Sequence, residues 1–222
     1  MVRHLGDFVH FLGVKFYLLI EMLNWLDEED PSVYLTDGGH IENLGIYQLL
    51  KRGCQFIIAI DAECDPSLAF PSLVKMERYA RIDLGIRIDL PWETLKQAYY
   101  TLQNPTAPSP VLPPNHGPHC AVGLITYANG SEGILLYVKS CLTGDEPDYV
   151  RDYKERYPEF PHETTGDQFF SEEQFEAYRA LGFHAVDRAL RDEDAIAISS
   201  TLSTRPGVTE PLVRQWIRAM VA

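Results

Sequence analysis

The stretch from Ser32 to Asp61 constrains the fold more than any other part of the chain. Ser32–Asp37 (SVYLTD) is a short β-type run that ends in Asp-Gly-Gly. In Ile41–Arg52 (IENLGIYQLLKR), Ile41, Leu44 and Leu49 lie near one helical face. Lys51 and Arg52 suit that helix's negative C-terminal end, and Gly53 suits the position just beyond it. Gln55–Asp61 (QFIIAID) is a continuous β-branched and aromatic run, the pattern of a strand buried on both faces. Strand, tight turn, helix and strand make a βαβ unit, whose strands run parallel through a right-handed crossover. Asp37 and Asp61 then finish at the same sheet edge, where open α/β sheets bind their ligands.

The remaining chain extends this pattern. Pro71–Asp83 reads as a helix, Gly85–Leu90 as a strand and Trp92–Leu102 as a helix. Six prolines between Pro105 and Pro118 mark an extended surface loop, because proline continues neither ladder. Cys120–Tyr127 and Ile134–Ser140 are strand-like and flank ANGSEG, which is hairpin chemistry. Residues 144–168 read as acidic, aromatic and irregular. Ser171 opens a helix with Gln174 three positions on, a capping box; Phe175, Tyr178 and Leu181 form its stripe and Gly182 closes it. The last helix starts near Thr209, with Leu212, Val213, Trp216, Ile217 and Met220 on one face. The Phe169–Phe170 pair and Trp216 read as core. The expectation is an α/β fold: a largely parallel central sheet flanked by helices, with an added β-hairpin and C-terminal helices, in a single domain over 1–222.

Charge and composition narrow the function. Nineteen basic residues against 32 acidic ones give a net charge of −13. A field of that sign repels phosphate backbones and anionic head groups, and no Lys/Arg run offsets it, so nucleic acid is not an expected partner. Residues 8–26 (FVHFLGVKFYLLIEMLNWL) are strongly apolar, but Lys15 and Glu21 break them below the roughly 18 clean residues a spanning helix needs. They read as a buried helix, or as one lying on a membrane or against a missing part of the protein. No signal-peptide cleavage site follows. The expected location is cytoplasmic or membrane-associated. Cys54, Cys64, Cys120 and Cys141 show neither a disulfide framework nor a common metal spacing. His116 and His119, beside Cys120, do not form a common zinc signature either.

Asp37 carries the chemistry. Gly38 and Gly39 allow a sharp turn and a close backbone approach, and the following helix N-terminus favours negative charge, which suits a general base. An alternative is a turn-forming or capping aspartate. Asp61 reads mainly as structural, since DAECD lacks the glycine and distal glutamate of a calcium loop.

The stretch VYLTDGGHIENLGIYQLLKRGCQFIIAIDAECDP resembles the C-terminal half of a bacterial patatin-like phospholipase domain. PEFPHETTGDQFFSEEQFEAYRALG resembles a segment of longer members of that group. Together they cover about a quarter of the chain. The resemblance implies that Asp37 is the aspartate of a Ser–Asp catalytic dyad, with Gly38 and Gly39 completing its motif. It implies cleavage of lipid acyl esters without a metal or other cofactor, and a lipid or acyl-ester substrate with peripheral membrane contact.

The family's nucleophile lies in a Gly-x-Ser-x-Gly elbow upstream of the aspartate. The 36 residues before Asp37 hold only Ser32, and no Gly-rich oxyanion loop. Asn129-Gly130-Ser131-Glu132-Gly133 is the nearest match, and it reads as a hairpin tip. The chain is therefore expected to be the C-terminal part of a longer acyl hydrolase, with the N-terminal half of the fold missing, and inactive alone. The alternatives are a non-catalytic lipid- or partner-binding remnant, and a metal-dependent hydrolase using Asp37 and Asp61. His40 reads as a helix-start cap, and Cys64, between Glu63 and Asp65, as an unreactive thiol.

Overall fold

The computed structural model describes residues 22–23, 37–103, 118–164, 166–191 and 196–221. The apolar stretch 8–26, the strand expected over 32–37 and the proline loop therefore lie outside the described residues, apart from residues 22–23, Asp37 and Pro118. The chain divides into two compact units, Met1–Asn43 and Leu44–Ala222.

The second unit is α/β, with one mixed sheet between flanking helices. Its elements in chain order are α1 (Ile46–Lys51), β1 (Phe56–Asp61), α2 (Pro71–Asp83), β2 (Arg87–Asp89), α3 (Trp92–Gln103), β3 (Cys120–Thr126), β4 (Glu132–Lys139), α4 (Asp148–Arg156), α5 (Glu172–Leu190), β5 (Ala197–Ile198), α6 (Ser200–Ser203) and α7 (Glu210–Val221). The strand order is β1-β4-β3-β2, and β5 pairs with β3. The β1/β4 and β3/β5 ladders are parallel, and the β3/β4 and β2/β3 ladders antiparallel. The β3–β4 hairpin, expected as an addition, is thus the centre of the sheet. Its loop turns through Gly130 at φ 82°, and Asn129 Oδ1 accepts from Ser131 N at 2.9 Å.

Strand alternation sorts the core into two layers. Ile57 and Ala59 of β1, Ala121 and Ile125 of β3, and Leu135 and Tyr137 of β4 pack with Ile46, Leu50, Leu73, Met76, Ala80 and Leu95 of α1–α3. Cys120, Val122, Leu124, Leu136 and Val138 face the other way, against Ala185 and Ala189 of α5, Leu202 of α6, and Val213 and Ile217 of α7. A third cluster joins Val150 and Tyr153 of α4 to Phe160 and to Ala177, Ala180 and Leu181 of α5.

Several expectations are corrected. β1 is buried on one face only: Phe56, Ile58 and Ile60 are exposed. Among the described residues, Trp216 and Ala219 of α7 join Phe56 and Ile58 around a groove of about 340 Å³. The helix read over 41–52 is limited to α1, since Gly45 at φ 71° precedes it and a separate 3₁₀ turn occupies Gly38–His40. Residues 144–168 contain α4. Gly182 does not close α5; no backbone or side chain crowds it and the helix runs on to Leu190, buried mainly through small alanines. Phe175 of its expected stripe is exposed, as are Phe169 and Phe170. Pro71–Asp83 matches the sequence reading, as does the Ser171 cap, whose Oγ accepts from Gln174 N at 3.1 Å. Among the described residues no helix is long and apolar enough to cross a membrane.

Gly133, at the start of β4, sits where any side chain would strike backbone. An added Cβ would lie 2.8 Å from Gln55 O and 3.2 Å from Gln55 Cα. That carbonyl accepts from Ile134 N at 2.7 Å, which opens the β1/β4 ladder. Gly133→Ala should therefore destabilise by about 1–3 kcal/mol, the usual range for overpacking, read as a lowered urea midpoint; an unchanged midpoint would contradict the close approach.

Candidate functional site

Asp37 begins the first described turn. It caps the 3₁₀ turn Gly38–His40 in extended conformation, φ −62° and ψ 125°. Its Oδ1 accepts from Gly39 N at 2.9 Å, and its carbonyl accepts from His40 N at 3.1 Å. The side chain is exposed. A Cβ on Gly39 would meet Asn43 Oδ1 at 2.6 Å and Asp37 Oδ1 at 3.2 Å, so the second glycine of the motif keeps room for the carboxylate. Gly38 has open space around it. Asp37 therefore caps this turn rather than the helix after it, and His40 is part of the turn and exposed.

Asp61 lies at the C-terminal end of β1, opposite Lys139 in the parallel ladder. Both are buried, with Lys139 Nζ 2.9 Å from Asp61 Oδ1. Tyr137 donates its hydroxyl to Asp61 Oδ2, and Glu63 N donates to Oδ1 at 2.8 Å. Burial and the Asp61 carboxylate push the Tyr137 phenol far above its usual range. Ser72 Oγ donates to Glu63 Oε1 at 2.7 Å. Asp65 accepts from Phe70 N at 2.7 Å and Ala69 N at 3.0 Å, ahead of α2. Asp65 N donates to His162 Nδ1 at 3.3 Å, and Cys64 Sγ donates to the His162 carbonyl at 2.7 Å. Burial, and then Lys139, hold the His162 imidazole down at about 4, so it is neutral. These contacts make the DAECD segment a locked strand end. The structural reading of Asp61 is the one its surroundings support, and Cys64 serves as a hydrogen-bond donor.

A second polar group lies at the same end of the sheet. His119 precedes β3, Asp145 follows β4, and His184 projects from α5. Their side chains are 0, 5 and 10% exposed. His184 Nε2 is 3.1 Å and His119 Nε2 3.8 Å from Asp145 Oδ1. Thr143 Oγ1 lies 2.9 Å from His119 Nε2 and 2.8 Å from Asp145 Oδ1. Arg188 Nε holds Asp145 Oδ2 at 2.7 Å. Burial raises the Asp145 carboxyl, but the neighbouring His119, His184 and Thr143 outweigh it and hold that carboxyl well below the usual range. Among the described residues this is the His/Cys/Asp/Glu grouping close enough to ligate one metal ion. Sequence reasoning considered His119 with His116, which lies outside the described residues. Asp145 and His184 were missed because 26 and 65 positions separate them from His119, and no local spacing records that meeting.

A cleft of about 570 Å³ opens between α2 and β2, lined in part by Glu77, Arg87, Asp89 and Thr201. Burial, followed by the charges of Glu93 and Asp89, raises Glu77 from its ordinary 4.5 to about 7. Between those two values the folded chain keeps a proton that the unfolded chain releases, so this group's contribution to stability falls as pH rises from 4.5 through 7. Glu77→Gln should then stabilise the protein at pH 8 by about 1–2 kcal/mol after solvent screening and leave it unchanged at pH 4. Paired thermal melts at the two pH values check this; an equal shift at both would overturn it.

Ser131 is exposed at the hairpin tip, its Oγ 2.7 Å from Asn129 Oδ1, with no strand-to-helix elbow around it. No family model matches the chain, no curated protein matches it, and no solved structure matches it.

Proposed function

We propose that this chain supplies the aspartate of a patatin-like lipid acyl hydrolase, with Asp37 as the general base of a Ser–Asp dyad and Gly38 and Gly39 shaping its turn. The observation that carries the reading is the Asp37 turn: an exposed carboxylate oriented through one oxygen by Gly39 N, with Asp37 Oδ1 itself 3.2 Å from where a Gly39 side chain would begin. A base must reach the hydroxyl it deprotonates, and an exposed carboxylate fixed at one oxygen retains that reach. The serine would attack the ester carbonyl while Asp37 takes its proton, and Asp37 would pass that proton to the departing alcohol as the acyl-enzyme forms; water would then attack the acyl carbonyl, giving a proton to Asp37, which returns it to the serine oxygen as the carboxylic acid leaves. The nucleophile belongs to a Gly-x-Ser-x-Gly elbow outside these 222 residues. The patatin-like identity of the α/β sheet and the absence of the fold's N-terminal half are parts of the same proposal.

The test is to isolate the native polypeptide from its source cells, measure its mass, and assay short-chain ester hydrolysis. A product well above 25.2 kDa that carries an upstream Gly-x-Ser-x-Gly peptide and turns over esters supports the dyad. A product of that mass without turnover would overturn it in favour of a non-catalytic binding module.

A further inference from the structure

We infer that His119, Asp145 and His184 form a binding site for one divalent transition-metal ion of the zinc class, independent of the acyl-hydrolase reading. Two imidazoles and a carboxylate converge from three separate elements, and their ligand atoms all lie within 4.8 Å of one another. Metal–nitrogen bonds of about 2.0–2.1 Å in a tetrahedral shell place ligand atoms roughly 3.3 Å apart. The separations from Asp145 Oδ1, 3.1 Å to His184 Nε2 and 3.8 Å to His119 Nε2, bracket that value. The longer one exceeds a hydrogen bond, and Thr143 Oγ1 lies between the two groups, 2.9 Å from His119 Nε2 and 2.8 Å from Asp145 Oδ1.

The surroundings favour ligation further. Arg188 occupies Oδ2 and leaves Oδ1 directed at both imidazoles, the kind of outer contact that fixes a monodentate carboxylate. The His119 and His184 rings meet edge to face, 5.5 Å between centroids, which fixes their mutual orientation. Thr143 Oγ1, within 2.9 Å of His119 Nε2, is placed to complete a fourth position. Imidazole nitrogen selects zinc, cobalt or nickel over magnesium and calcium, which take oxygen shells. Buried Glu146, held by Thr143 N and by Gly144 N at 3.1 Å, adds negative charge to the same loop. An ion here would join the start of β3, the loop after β4 and α5.

The experiment is calorimetric titration of the chelator-treated 222-residue chain with Zn²⁺ and with Co²⁺. One equivalent is expected, with a Co²⁺ visible spectrum of tetrahedral intensity. His184→Gln is expected to weaken binding at least about 100-fold and to abolish the zinc-dependent rise in melting temperature. Absence of stoichiometric binding to the folded chain, or equal affinity in His184→Gln, would overturn the site. If that variant does not fold, X-ray absorption of the wild-type Co²⁺ complex decides: two imidazoles among nitrogen and oxygen ligands support the assignment, and sulfur ligation refutes it.

Discussion

Lys139→Met should cost the fold about 3–5 kcal/mol, the penalty for removing one partner of a buried ion pair. Lys139 is fully buried, and its ammonium stands 2.9 Å from Asp61 Oδ1 and 3.3 Å from the Glu63 carbonyl. Methionine matches the stem's length but leaves the Asp61 carboxylate without its cation, held only by the Tyr137 hydroxyl and Glu63 N. Water does not replace that cation, because Asp61 is 1% exposed. The double variant Asp61→Asn/Lys139→Met should recover part of the loss, since no net charge then remains to be compensated. Urea denaturation of the two singles and the double measures the coupling. A single-variant loss below about 1 kcal/mol would place the pair in the class of surface bridges, contrary to its burial.

The second large effect concerns turnover. In a native polypeptide that hydrolyses esters, Asp37→Asn should lower kcat by about 10²–10⁴-fold, the range of a positioned general base. The substitution separates chemistry from shape. Asparagine keeps an amide oxygen that accepts from Gly39 N, so the 3₁₀ turn survives with a melting temperature near the wild type. It does not keep a carboxylate to take the serine proton. Lost turnover with an unchanged melting curve supports a base; full turnover in Asp37→Asn restricts Asp37 to turn formation and sinks the proposed dyad.

The parts of the fold written in local pattern are those the sequence foretold. Pro71 at the start of α2, Ser171 with Gln174 at α5, and the Asn-Gly turn between β3 and β4 each act within a few residues, and each stands where it was read. Long-range arrangement was not so encoded. Phe56, Ile58 and Ile60 look like core in the sequence, yet the fold gives that face of β1 little cover. Gly182 signals a helix end by propensity, and packing of Leu181 and Ala185 on either side carries α5 past it. In the same way, the Asp-Gly-Gly turn was visible as a motif, whereas the His119–Asp145–His184 cluster exists only through the sheet register and the position of α5. The Lys139 partner of Asp61 was hidden for the same reason.

The central place of the β3–β4 hairpin has a consequence for the order of folding. Its strands are joined by a five-residue loop, so their pairing closes a small ring of chain and carries little entropic penalty. Asp61 and Lys139 lie 78 positions apart, so the β1/β4 ladder must wait for a much rarer encounter. Loop closure on that scale slows folding, while hairpins form within microseconds. The sheet thus grows outward from its middle. Substitutions in the hairpin turn should act on the folding rate, and those at the Asp61 end of β1 on the rate of unfolding.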